Sequence, residues 1–226
     1  TIIIGLGNIG YLYDYNKSKK FVETHYRSIT QNKKFKLLAL VEKNINKKKS
    51  LYKDIQIPIF KNLNQLMSNF KNVELFILAT DFNTHFSLIK QIVKFYNPKI
   101  IFCEKPFCKS ETESSKVIEL CKKNKIKLVV NYQRRVDKNI IYLKKFLNFK
   151  KNYINVYFSK SIKTNASHFI DLFTFIFGKV VSIYRNKNNK KFNFSLKYKR
   201  AIVNFCKVSK NTKIDNYFQI ENKKFF

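Results

Sequence analysis

Three of the chain's four glycines fall within six residues, Gly5-Leu6-Gly7-Asn8-Ile9-Gly10, directly behind the apolar run Ile2-Ile3-Ile4. Gly-x-Gly-x-x-Gly after a strand is a phosphate-binding pattern. One glycine permits a tight turn, one lets a pyrophosphate approach the backbone, and one lets the following helix pack closely. Asn8 and Ile9 complete the turn, and a helix opening here would aim its first amides at the phosphates. A second candidate is Glu42, which ends the apolar stretch Phe35–Val41. A carboxylate there accepts hydrogen bonds from the ribose hydroxyls of an adenosine and favours NAD. Lys43 and Lys47–Lys49 beside it would instead suit a 2′-phosphate, so NADP stays as the alternative, and an ordinary solvated carboxylate stays open too. Glu42 lies further past Gly10 than the roughly 20 residues usual for this motif. The segment Asp14 to Lys19 therefore reads as an insertion in the crossover.

Strands and helices in alternation must position these groups. Apolar runs predict strands at Thr1–Ile4, Phe35–Val41, Glu74–Ala79, Lys99–Cys103 and Ile126–Asn131, with helices at about Ser18–Ile29, Asn64–Phe70, Thr84–Phe95 and Ser110–Lys123. Ser110 with Glu113 three residues on is a capping box. Alternation of this kind gives a parallel sheet with helices on both faces. Beyond about Asp137 the order changes. A helix over Lys138–Phe149, a strand over Tyr153–Ser159 and an apolar helix near Ser167–Phe177 precede strands at Val180–Arg185, Lys191–Lys197, Ala201–Val208 and Asn216–Ile220. Asn186–Lys190 reads as a hairpin turn. The expectation is an α/β protein of two domains: a dinucleotide-binding domain over 1–127 and an α/β domain over 128–226 with a mostly antiparallel open sheet.

Composition narrows the functional classes. The formal charge is +32, yet of 46 basic residues only Arg27, Arg134, Arg135, Arg185 and Arg200 are arginines. The lysines are spread along the chain, whereas a directed nucleic-acid surface clusters its cations and uses arginine for bidentate contacts. Abundant Lys, Asn, Ile and Phe beside scarce Gly, Pro and Trp follow codon bias toward A and T. No specific nucleic-acid partner is expected. No apolar run reaches 18 residues, so no membrane span is expected. The N-terminus carries no signal-peptide pattern, and opening on a strand without Met suggests a chain trimmed close to its first element. Cys103, Cys108, Cys121 and Cys206 lack metal-site spacing, so no metal is expected, and a reducing, cytoplasmic setting suits them.

Further along, five segments occur in an order that resembles one family. They are Gly5–Gly10; Ala79-Thr80-Asp81-Phe82-Asn83-Thr84-His85; Glu104-Lys105-Pro106 behind Ile101–Cys103; Asn131-Tyr132-Gln133-Arg134-Arg135; and Ser167-His168-Phe169-Ile170-Asp171. The chain resembles, over nearly its whole length, the glucose–fructose oxidoreductase/inositol dehydrogenase (Gfo/Idh/MocA) oxidoreductases. The resemblance implies hydride transfer between a nicotinamide dinucleotide and a sugar, nucleotide sugar or cyclitol. It implies Lys105 as the catalytic lysine, which would hold the hydroxyl proton as hydride leaves, and His168 as the active-site histidine. It places Thr80, His85 and Glu104 with the cofactor groups, His85 as an anchor of the loop over the cofactor. Tyr132, Arg134, Arg135, Thr164 and Asp171 fall on the substrate side, and a homo-oligomer paired through the open sheet is expected. His25 is left as structural.

Two residues depart from the family pattern. Many catalytic members carry Asp four residues before the active-site histidine, where this chain has Thr164, and Asp81 replaces the usual Pro. Threonine can hydrogen-bond a sugar but takes no proton near neutral pH. The closing strands also number fewer than the resemblance leads one to expect, so part of the substrate wall is expected to be missing. Two rival readings therefore stand: a dinucleotide-binding protein without catalysis, and a basic nucleic-acid-binding protein on the same scaffold.

Overall fold

The computed structural model describes residues 1–147, 151–185, 193–208, 216–220 and 223–225. The turn expected at Asn186–Lys190, the helix end expected at Phe149 and the side chains of Lys47–Lys49 lie outside the described residues.

Ile2–Ile4 forms β1, buried at every residue. A strand apolar on both faces must be covered on both, which puts it in the middle of a parallel sheet. After it come α1 (His25–Thr30), β2 (Ala39–Val41), β3 (Ile59–Phe60), α2 (Leu63–Met67), β4 (Leu75–Leu78), α3 (Phe82–Phe95), β5 (Ile100–Cys103), α4 (Glu111–Lys123) and β6 (Lys127–Val130). The six strands run parallel in the order β3-β2-β1-β4-β5-β6. This is the doubly wound dinucleotide-binding order, with its switch point between β1 and β4. Alternate residues pack on opposite faces. Ile2, Ile4, Phe76, Leu78, Ile101 and Cys103 meet α3 and α4 through Ile89, Ile92, Val117 and Cys121. Ile3, Leu40 and Ile77 meet Leu6, Tyr11, Ile29 and Tyr52 on the other face. The helix over Glu111–Lys123 keeps the N-cap half of the expected capping box, while the Glu113 side chain reaches one residue before the cap. Ser110 Oγ accepts from the Glu113 amide at 3.2 Å, and the Glu113 carboxylate turns back to the Lys109 amide at 3.1 Å.

Three local expectations need correction. The helix expected over Ser18–Ile29 begins only at His25. The Arg27 guanidinium draws the carbonyls of Asp14, Lys17, Ser18 and Phe21 onto itself, and Asp14 takes the amides of Glu23 and Thr24. Those backbone groups are thereby lost to helical bonding. The second strand is confined to Ala39–Val41, although Leu38 still donates to the Thr1 carbonyl at 2.9 Å. The helix expected over Asn64–Phe70 spans Leu63–Met67, and 3-10 turns over Ile45–Tyr52 and the short β3 precede it.

The chain divides into two compact units, Thr1–Asn131 and Tyr132–Phe226. A boundary after Lys127 would cut β6, whose Lys127–Val130 pairs with Ile100–Cys103, so β6 belongs to the first unit.

In the second unit a 3-10 turn (Gln133–Val136) and α5 (Lys138–Leu147) precede β7 (Asn152–Phe158), a π turn over Ile162–Ala166 and α6 (Ser167–Phe177). Then follow β8 (Ser182–Arg185), β9 (Phe194–Tyr198), β10 (Ala201–Lys207), β11 (Tyr217–Ile220) and β12 (Lys223–Phe225). The sheet order is β12-β11-β7-β10-β9-β8, antiparallel except for the parallel pair β7–β10. One face, with Ile154, Val156, Val203, Phe205 and Phe218, buries Phe169, Leu172, Phe173 and Ile176 of α6. The other face carries a polar ladder in which Ser195 Oγ donates to Asn204 at 2.7 Å and Asn204 Nδ2 to Asn155 at 3.0 Å.

Candidate cofactor site

A cavity of about 620 Å³ opens at the carboxyl ends of β1, β2 and β4, within the size range of a cofactor site. Its walls include Gly5, Gly7, Glu42, Lys43, Thr80 and Asp81, with Lys61, Asn62 and Leu63 behind β3 and Thr84, Leu88 and Gln91 along α3. Thus Gly5, Gly7, Glu42 and Thr80, four of the expected cofactor residues, line one cavity. Asn8, Ile9 and Gly10 form the adjoining turn, in which Tyr11 and Leu12 donate to the Gly7 carbonyl at 2.9 and 3.1 Å. The first N–H groups of such a turn have no carbonyl behind them.

The glycines are required for reasons the geometry makes explicit. Gly5 has φ +95°, and an added Cβ would stand 2.8 Å from the Ala79 carbonyl. A Cβ on Gly10 would come within 2.0 Å of the Gly5 carbonyl oxygen. At Gly7 an added Cβ would meet nothing within 4 Å, because that side of the residue faces open space. The turn is therefore closed tightly on itself and bare where a pyrophosphate would lie. The residues present fit a dinucleotide.

Glu42 is buried, and its carboxylate closes the same turn. Oε2 accepts from the Leu6 amide at 2.8 Å and Oε1 from the Asn44 amide at 2.9 Å. Tyr52 donates its hydroxyl to the Leu6 carbonyl at 3.1 Å, so both sides of Leu6 are held. Burial, with the nearby Glu42 charge, pushes the Tyr52 phenol up to about 12 and keeps it a donor. Asn44, Tyr52, Lys61 and Asn62 carry no sequence motif, and their part depends on contacts made across the sheet.

His85 lies fully buried behind the cavity rather than on its wall. Its Nδ1 is 2.8 Å from the Phe107 carbonyl and its Nε2 is 3.1 Å from the Thr80 carbonyl. The ring thus ties the start of α3 to the loop after β5. Lys105, half-buried, opens that loop and is joined to Pro106 by a cis peptide. The preceding Glu104 also faces inward, toward His25 and Asn131 at 2.7 and 2.6 Å.

The second unit groups its own expected residues. The Tyr132 and His168 rings meet edge to face at 6.3 Å. Burial, and after it the Asp171 carboxylate, raises the Tyr132 phenol above its usual value, which keeps its O–H available as a donor. Asp171 and Arg135 are paired with each other. Arg135 Nε lies 3.1 and 2.9 Å from the two Asp171 oxygens, and Nη2 reaches Oδ1 as well. Arg135 is thus partly neutralised by an internal acid. The Arg134 guanidinium lies over the Phe169 ring at 4.9 Å. Thr164 caps its own turn, its Oγ1 3.2 Å from the Ser161 amide and 3.0 Å from Ser161 Oγ.

Residues 1–132 match the family described as oxidoreductase family, NAD-binding Rossmann fold (GFO_IDH_MocA). The chain belongs to this family. NAD is accordingly the cofactor its first unit is built to take. A curated relative, the uncharacterized oxidoreductase C115.03 of Schizosaccharomyces pombe, is 27% identical over 118 residues, 50% of this chain and 31% of that protein. The chain therefore spans about a third of that relative's length. Among solved structures, the WlbA dehydrogenase of Bordetella pertussis in complex with NADH and UDP-GlcNAcA superposes with a TM-score of 0.74 at 16% identity, over 97% of this chain and 74% of that one. The WlbA (WbpB) dehydrogenase of Thermus thermophilus in complex with NAD and alpha-ketoglutarate gives 0.71 at 16% identity, over 99% and 81%. These likenesses establish the fold along the whole chain. Among the described residues no helix is long and apolar enough to cross a membrane, and no disulfide joins the four cysteines.

Proposed function

We propose that the protein oxidises or reduces a CH–OH carbon of a sugar, nucleotide sugar or cyclitol, with Lys105 as the group that exchanges the hydroxyl proton. Bound NAD supplies the hydride acceptor. In the oxidation direction the C–H pair departs as hydride while the Lys105 amine takes the O–H proton; in reduction the ammonium returns it to the carbonyl oxygen. His168 binds the reacting hydroxyl or relays its proton. Tyr132 offers its phenol O–H to a ring oxygen, and Arg134 and Arg135 attract an anionic group on the substrate. Asp171 orients Arg135. We place the protein in the cytoplasm as a homo-oligomer, with no specific nucleic-acid partner.

The observation that carries this reading is the glycine turn, bare at Gly7 and closed by Glu42, at the switch point of the first sheet. Lys105 stands at the carboxyl end of β5, the strand beside β4. The test is thermal unfolding of the purified protein with NADH, NADPH and short duplex DNA. A ligand at about 100 times its Kd adds about 2.7 kcal/mol to the native state. A rise with NADH larger than with NADPH is expected, followed by turnover of a sugar or nucleotide sugar that Lys105→Ala abolishes. No rise with either dinucleotide, in a protein that unfolds cooperatively, would refute the proposal.

One observation favours a second reading, dinucleotide binding without catalysis. The Thr164 hydroxyl, standing where the family often has an acid, is engaged in capping its own turn. That reading expects NADH to bind and no substrate to turn over, with Lys105→Ala changing nothing.

A further inference from the structure

Glu104 is the acid immediately before Lys105, and only about a tenth of its side chain is exposed. A buried carboxylate must find donors or give up its charge. Glu104 finds them in three parts of the chain. Oε1 accepts from His25 Nε2 at 2.7 Å and from Asn131 Nδ2 at 2.6 Å, and the carboxylate also accepts the backbone N–H of Lys105. Burial alone would raise its pKa, but these donors outweigh burial and hold it below the usual carboxylate value. The anion is therefore fixed in place, and the Lys105 backbone is fixed to it. Asn131 is itself held, donating its amide to the Cys103 carbonyl at 2.8 Å.

His25 reaches Glu104 because helix α1 returns to the glycine turn after the excursion over residues 11–24. The amides of His25 and Tyr26 donate to the carbonyls of Ile9 and Gly10, both at 3.0 Å. Helix α1 thus stacks on the glycine turn as though the intervening residues were absent. The excursion is tied where it leaves and where it returns. Asp14, 2% exposed, accepts from the amides of Glu23 and Thr24 at 2.7 and 2.9 Å and from Thr24 Oγ1 at 2.8 Å. Arg27 binds the Asp14 carbonyl at 2.5 Å and those of Ser18 and Phe21 at 2.9 Å. Thr24 then caps α1 by accepting from the Arg27 amide at 3.2 Å.

We propose that His25 is a positioning residue for Lys105: by donating to Glu104 it holds that carboxylate against the Lys105 amide, and the Asp14–Arg27 clamp sets His25 in place. The functional weight of this inference rests on Lys105 being the proton-exchanging lysine proposed above. A purely packing role for His25 also has a basis, since its ring stands edge-on to Phe102 at 5.7 Å. Two substitutions separate the roles. His25→Phe keeps the ring and loses the donor; His25→Gln keeps an N–H donor and loses the ring.

The experiment is residue-resolved amide hydrogen–deuterium exchange on the full chain, with a parallel NADH titration. His25→Phe is expected to speed exchange at Lys105 about tenfold, the order of one lost charge-assisted hydrogen bond, with the β1 amides unchanged. His25→Gln is expected to stay within about threefold of the parent. Wild-type protection in His25→Phe, or equal loss in both variants, overturns the proposal. Should His25→Phe fail to fold, Glu104→Gln is expected to expose the same amide, and unchanged exchange there is equally fatal. Failure of the unsubstituted protein to bind NADH would sink the proposed function without touching the exchange result, so the two failures are distinct.

Discussion

Alanine at Gly7 and alanine at Gly10 separate cofactor binding from the folding of the turn that binds it. At Gly7 the new methyl meets no atom within 4 Å, and the backbone lies outside the left-handed region. Stability is expected to hold, or to rise by about 0.4–1 kcal/mol because the unfolded chain loses freedom. The methyl nevertheless occupies the bare side of the turn, where a pyrophosphate would approach the backbone. NADH affinity is expected to fall at least tenfold, about 1.4 kcal/mol. At Gly10 the methyl falls 2.0 Å from the Gly5 oxygen, 3.0 Å from the Gly5 carbonyl carbon and 3.3 Å from Leu6 Cα. These are all backbone atoms, so no rotamer change relieves the overlap. A cost of at least about 1–3 kcal/mol is expected, which lowers Tm by roughly 2–4 °C per kcal/mol in a chain of this size. Thermal unfolding reads the stability of both variants, and titration of NADH fluorescence reads the binding. Wild-type NADH affinity in Gly7→Ala would refute the cradle, and wild-type stability in Gly10→Ala would refute the packing that closes it.

Three other perturbations test the surrounding groups. Glu42→Gln leaves one carbonyl oxygen for the two amides of Leu6 and Asn44 and removes the negative charge at the cavity wall. It is expected to cost about 1 kcal/mol in stability and to shift the NADPH-to-NADH affinity ratio about tenfold toward NADPH, read by paired titrations. Because the folded Glu104 pKa lies below its ordinary 4.5, its stabilisation is complete above the unfolded value and is lost as pH falls through the depressed folded one. Glu104→Gln should therefore flatten the acid limb of a stability–pH profile below about pH 4.5. Asp171→Asn leaves Arg135 without its anionic partner. With the Arg135 side chain 47% exposed, the expected loss is about 1–2 kcal/mol, less than the 3–5 typical of a fully buried pair, measured by denaturant unfolding.

Some of this architecture was legible in the residues because its causes are local. Ile2–Ile4 reads as a strand because burial on both faces leaves an unbroken apolar run, Ile100–Cys103 is an apolar run with one face only partly buried, and the Ser110 cap and its Glu113 partner lie three residues apart. The excursion over 11–24 read as an insertion near Asp14 to Lys19 running into a helix from about Ser18. Its conformation is set by one carboxylate and one guanidinium collecting backbone groups up to 13 residues away, and no periodicity records such bonds. The strand β3 is two residues long, too short to leave a pattern of alternation.

The same distinction governs the site. Residues of the glycine turn announce themselves, because only glycine fits at Gly5 and Gly10, and a chain with so few glycines marks those positions. Residues that act by holding another residue do not. Glu42 was legible as an acid at a strand end, but its grip on Leu6 depends on β2 lying beside β1. Arg135 and Asp171 each have the chemistry of a substrate contact, yet each is already the other's partner, which a separation of 36 residues in sequence conceals. His25 is the sharpest instance. Its sequence neighbourhood gives it no task, while the fold sets it against an acid 79 residues on. A side chain's type limits what it can do, and the groups that reach it first decide how much of that chemistry remains for a substrate.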